Sequence, residues 1–178
     1  MRFAAARTTG ALFLLLCVAV PSRAQESFPT DVACDTAPAV LRNSAFKLVP
    51  GAVELREGKG CLKETAASPR CDWTVDMTRA EWWGATPRFL LVVLNSSHES
   101  GSGEWDSVFL ARCQGSRLVP AFSKRYLYGA KIDVGKSADF RITSHVWRKG
   151  DSECCPSTQR VEHYIWDERR RLFVTMRQ

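Results

Sequence analysis

The chain has 178 residues and sets 25 Lys and Arg against 19 Asp and Glu, for a formal charge of +6. That length suits one domain around a single core and is cramped for two. The basic excess is mild and lacks the footprint of a nucleic-acid binder.

Residues 1–24 have the three-part layout of a cleavable secretory signal. Arg2 and Arg7 precede an apolar run over 11–20, and Pro21 leads to the small-x-small triplet Ser22-Arg23-Ala24, which predicts cleavage before Gln25. The run is about half the ~20 residues that a membrane-spanning helix needs. Cys17 follows Leu16, whereas a lipoprotein signal places a small residue before its cysteine. The expectation is an exported chain, periplasmic or extracellular, with no stable membrane insertion after cleavage. Losing Arg2, Arg7 and Arg23 halves the net charge.

Export leaves six cysteines, Cys34, Cys61, Cys71, Cys113, Cys154 and Cys155, an even number that predicts up to three disulfides. Cys61 and Cys71 bracket a short stretch containing Pro69, so their bridge would close a small loop at low entropic cost. Cys154 and Cys155 are adjacent, a poor arrangement for normal disulfide torsions, so they are expected to reach Cys34 and Cys113 instead.

In chain order, residues 25–33 read as a loosely held lead-in. Asp35 as cap, Pro38 in the first turn and apolar Ala37, Val40, Leu41, Ala45 and Phe46 near one face predict a helix over 36–46. A short strand over 52–56 precedes the turn at 57–60. Trp73, Val75 and Met77 alternate as on a half-buried strand. Thr78-Arg79-Ala80-Glu81 matches a capping box and predicts a turn or two of helix, with Trp82 or Trp83 at the core edge.

From Arg88 onward the reading is β. The continuous apolar run 89–94 predicts a central strand, and 95–103 is read as a polar loop. A strand over 105–113 meets 117–122 across the two-residue hairpin Gly115-Ser116, and Pro120 requires an edge or a bulge. Further strands are expected at 131–134, 140–148, 160–166 and 172–176. Helix first, then consecutive strands with short connections, predicts a single α+β domain over 25–178: an N-terminal helix packed on a mostly antiparallel meander sheet. A small β barrel is the alternative.

The most distinctive local motif is Gly150-Asp151-Ser152-Glu153-Cys154-Cys155-Pro156-Ser157, followed by Tyr164 and Trp166 at the spacing of a strand. This tail, residues 140–174, resembles the ends of small exported bacterial proteins, some of them similar to the LppP/LprE lipoproteins. In those tails an acidic Cys-Cys-Pro connection separates two strands. The resemblance implies an envelope location and no particular reaction.

Contiguous cysteines lack the spacing of paired metal ligands and of thiol oxidoreductases, so the segment is read as structural. His98 beside Glu99 and Ser100 suggests acid–base work, with Glu99, Glu104 and Asp106 as nearby carboxylates. His145 and His163, on strands expected to pair, are weighed with Glu162 as a metal site and set aside for want of a third ligand. Ser102, between Gly101 and Gly103, lacks the nucleophile-elbow pattern. Neither metal nor cofactor is expected. Lys124, Arg125, Arg148, Lys149, Arg169, Arg170 and Arg171 lie near Tyr126, Trp147 and Trp166, and on a shared face they would bind an anionic envelope polymer. The reading is a disulfide-stabilised binding or interaction module, more non-enzymatic than enzymatic. A small hydrolase of envelope material and a structural component of the envelope are the competing readings.

Overall fold

The computed structural model describes residues 28–48, 51–84, 87–101, 103–152 and 154–176. The expected signal, residues 1–24, lies outside them, as do Ser102 and Glu153. One short helix, α1 (Ala37–Leu41), precedes ten strands: β1 (Ala45–Lys47), β2 (Ala52–Arg56), β3 (Lys59–Leu62), β4 (Trp73–Trp83), β5 (Phe89–His98), β6 (Glu104–Gln114), β7 (Arg117–Val134), β8 (Asp139–Val146), β9 (Thr158–Asp167) and β10 (Leu172–Thr175). They form one antiparallel sheet in which every strand neighbours the next in sequence.

The α+β expectation is therefore overturned: the molecule is nearly all β. Ala45 and Phe46 have helical spacing from Leu41, yet they belong to β1, where Phe46 is fully buried and meets Phe28 edge-on at 5.8 Å. Burying a Phe is worth roughly 1.5–3 kcal/mol, more than the few tenths by which propensity separates helix from strand there. The barrel alternative fails too, because the sheet is open and β1 and β10 do not pair.

The capping box of Thr78 and Glu81 is likewise no helix start. It lies inside β4, where the register slips between Met77 and Arg79 and Arg79 Nε donates to Glu81 Oε1 at 2.8 Å. That bulge switches the strand's parity. Trp73, Val75 and Met77 precede it on one face, Ala80 and Trp82 follow on the same face, and Trp83 enters the other.

Two cores result, one on each face of the central strands. Leu90, Val92 and Leu94 of β5 join Phe46, Val53, Leu62 and Phe109 in the first, whereas Phe89, Leu91 and Val93 join Leu110, Phe140, Tyr164 and Phe173 in the second. Because β5 is covered on both sides, it reads as an unbroken apolar run. The first three strands fold over one face and the last three over the other. Trp83 and Phe173 stack at 5.9 Å, and Trp83 Nε1 donates to Gly135 O at 2.8 Å.

From Phe28 onward the lead-in is held firmly, contrary to expectation, while residues 25–27 lie outside the described residues. Phe28 and Val32 are buried, Leu118 N donates to Val32 O at 3.0 Å, and Cys34 N donates to Ser116 O at 2.9 Å. This docking brings Cys34 to Cys113, with Cα atoms 5.9 Å apart in a disulfide. Cys61 and Cys71 pair as expected across 10 residues. Cys154 and Cys155 pair with each other, which corrects the expectation that they reach Cys34 and Cys113: the lead-in had already occupied the hairpin end where Cys113 lies.

Candidate ligand-binding cleft

On the first face the core gives way, beyond Leu94, to a cleft of about 200 Å³. Ser96 and Ser107 line it as buried polar residues, Leu48 and Leu62 are apolar walls, and Trp73, Trp105 and Tyr126 are its aromatic lining. The cleft exists because of a second bulge. Asp106 pairs with Leu127 and Val108 with Lys124, so Ser107 alone faces the two residues Arg125 and Tyr126. Tyr126 absorbs the extra length with φ at 59°, a left-handed conformation costly for an aromatic residue. Asp106 on the reverse face fixes this distortion, accepting from Asn95 Nδ2 at 3.1 Å and from Ala130 N at 2.7 Å.

The two floor hydroxyls differ. Ser96 Oγ donates to Trp105 O at 3.0 Å. Ser107, only 4% exposed, has no hydrogen-bond partner for its hydroxyl among the described residues. Trp105 continues outward into an aromatic cluster, stacking on Trp147 at 5.4 Å and meeting Tyr128 at 5.8 Å. Trp147 Nε1 donates to Ser152 O at 3.2 Å and Tyr128 Oη to Cys154 O at 3.0 Å, tying the Cys154–Cys155 loop to this wall.

His98 sits beside the cleft, its ring edge-on to Trp73 at 4.8 Å. Its Nδ1 faces Ser100 Oγ at 2.6 Å and accepts from Ser100 N at 3.2 Å, and Nε2 is 4.0 Å from Glu64 Oε1. Of the carboxylates read near it, Glu99 approaches Arg70 at 3.8 Å, Glu104 is exposed, and Asp106 points to the opposite face. His98 thus meets one carboxylate, Glu64, which the sequence did not single out.

His145 and His163 lie on paired strands, four residues out of register: His145 faces Gln159 and His163 faces Arg141. Nε2 of His163 is 3.3 Å from Asp139 Oδ2, and Nε2 of His145 is 3.1 Å from Gln159 Nε2. Among the described residues no three His, Cys, Asp or Glu side chains gather as a metal-holding group.

The seven basic residues fall in separate places. Lys124 turns toward the second core, donating to Glu162 Oε2 and, at 2.9 Å, to Tyr164 Oη. Burial pulls the Lys124 pKa down, but its bonds to Glu162 and Tyr164 outweigh that and leave it raised. Burial in turn raises the Tyr164 phenol. Arg125 Nη1 donates to Lys47 O at 3.3 Å. Arg148 and Lys149 lie in the turn before β9 and Arg169, Arg170 and Arg171 in the turn after it, about 30 Å apart at ~3.3 Å per strand residue.

Among the described residues no helix is long and apolar enough to cross a membrane. Comparison with known proteins finds no matching family model, no matching curated protein and no matching solved structure. Three disulfide pairs point to a compartment outside the cytoplasm.

Proposed function

We propose that this chain is an exported binding module whose ligand enters the aromatic cleft. The observation that carries the reading is Tyr126 in its left-handed bulge opposite Ser107: a strained backbone that opens space over a buried serine. Strain of this kind persists where surrounding structure enforces it, and it clusters at binding sites. Export is supported by the three cysteine pairs together with the signal-like residues 1–24. Binding is favoured over hydrolysis because His98 meets a single carboxylate at an open surface. It is favoured over attachment to an anionic polymer because Lys124 is paired with Glu162, and because Arg148 and Lys149 lie at the opposite end of β9 from the Arg169 to Arg171 group.

A thermal-shift screen of small uncharged and anionic compounds tests this. Uncharged hits are expected, and Trp105→Ala and Tyr126→Gly should abolish them. Hits confined to polyanions, and lost only when Arg148, Lys149 or Arg169 to Arg171 are neutralised, would overturn the cleft as the site. Mass spectrometry of the exported product should place its N-terminus at Gln25, and a product retaining Met1 would refute export.

A further inference from the structure

We infer that the cleft receives the ring of a neutral sugar, an inference that rests on the binding reading above. Four observations converge on this ligand class. Among the described residues only uncharged side chains line the cleft, so none of these would compensate a charged ligand. Its volume of about 200 Å³ is below the roughly 300–1,000 Å³ of sites for drug-sized ligands, and suits one ring-sized group.

The walls and the floor then divide ring types. Trp73, Trp105 and Tyr126 offer apolar faces with polar tips, suited to a ring that is itself apolar on its C–H faces and polar at its rim. Ser107 is the deciding residue. Its hydroxyl makes no hydrogen bond to a described residue and still reaches water, and an acyl chain or plain hydrocarbon ring laid over it would displace that water and leave it unpartnered. A sugar hydroxyl supplies the missing partner, and Ser96, which uses its proton on Trp105 O, still has oxygen lone pairs to accept a second. Sites built in this way reject analogues that lack the hydroxyl.

The test is titration of the exported protein with glucose, galactose, mannose and N-acetylglucosamine, with their linear trimers, and with benzene and toluene as ring-sized probes that lack hydrogen-bonding groups. Calorimetry and Trp fluorescence read the binding. At least one sugar should bind saturably, and Ser107→Ala should weaken it by about 3- to 10-fold while leaving any binding of toluene unchanged. Tighter binding of a trimer identifies a polymeric glycan as the source, and equal binding of its monomer identifies a free sugar.

If no sugar binds while benzene or toluene fills the cleft in a Trp105-dependent manner, the sugar assignment falls and the binding module stands. If none of these probes binds, both fall. Since Trp105 stacks on Trp147 and meets Tyr128 edge-on, the Tyr126→Gly variant repeats the cleft test should Trp105→Ala fail to fold.

Discussion

The hydroxyl of Tyr128 donates to the carbonyl oxygen of Cys154 at 3.0 Å, linking strand β7 to the loop that carries the adjacent cysteine pair. The same ring packs on Trp147 at 4.9 Å, so one side chain holds both the loop and an aromatic wall. Tyr128→Phe keeps the ring and removes the bond. It should cost about 0.5–1.5 kcal/mol in urea unfolding and speed reduction of Cys154–Cys155 by dithiothreitol. Unchanged reduction kinetics would show that the loop is held by other contacts.

Disulfide removal should follow loop length. The bridge from Cys34 to Cys113 spans 79 residues, that from Cys61 to Cys71 spans 10, and the adjacent pair spans 1. Chain-entropy arguments assign about 4–5, about 2–3 and under about 1 kcal/mol to them in that order. Pairwise Cys→Ala variants measured by urea unfolding check the ranking, and a Cys154/Cys155 variant as unstable as the Cys34/Cys113 variant would break it.

Lys124 and Glu162 form a pair that is mostly out of water, with Tyr164 as third member. Lys124→Met strands Glu162 and should cost about 1–2 kcal/mol, discounted for the partial exposure of both groups. Lys124→Met with Glu162→Leu should recover much of that loss. Both Lys124 and Tyr164 have pKa values raised in the folded state. Their contribution is therefore complete below the unfolded-state values near 10 and is lost as pH climbs through the folded ones. Chemical melts across pH 9–11 should show the wild type losing stability faster than the double variant, and equal slopes would refute the assignment.

Asp151 behaves in the opposite sense. Its carboxylate accepts from Arg148 N at 2.7 Å and Ser157 N at 2.9 Å, and these amides hold its pKa below the usual carboxylate value. The loop it clasps is thus fully secured above the ordinary Asp range and loosens as pH falls through the depressed value. An NMR titration should find Asp151 among the most acidic carboxylates, and Asp151→Asn should remove that titration while sparing the fold.

Legibility of the sequence followed the range of the forces involved. Phe89 to Leu94 announced a central strand because burial on both faces erases alternation, and Gly115, at φ 63°, announced its hairpin. Pro120 called for an edge or a bulge, and of the two the register shift beside it is a bulge. The capping box at Thr78 misled because Arg79 and Glu81, two residues apart, are also neighbours on one face of a strand. The cleft left no signal. Trp73, Ser96, Trp105 and Tyr126 belong to four strands, and only the bulge opposite Ser107 brings them to one place. Glu64 escaped notice for the same reason, since Cys61–Cys71 and the β4–β5 register are what carry it toward His98.

The ladder narrows from eighteen residues in β7 to three in β1 and four in β10. An open sheet invites other chains to extend it, and short margins are one of the ways proteins discourage fibril growth. Here the last margin is also preceded directly by Arg169, Arg170 and Arg171, of which Arg170 pairs with Asp167 at 3.7 Å, so two copies meeting along β10 would bring like charges of Arg169 and Arg171 to a seam four residues long. Such a seam would also have to cover the exposed Leu172 and Met176 beside those charges.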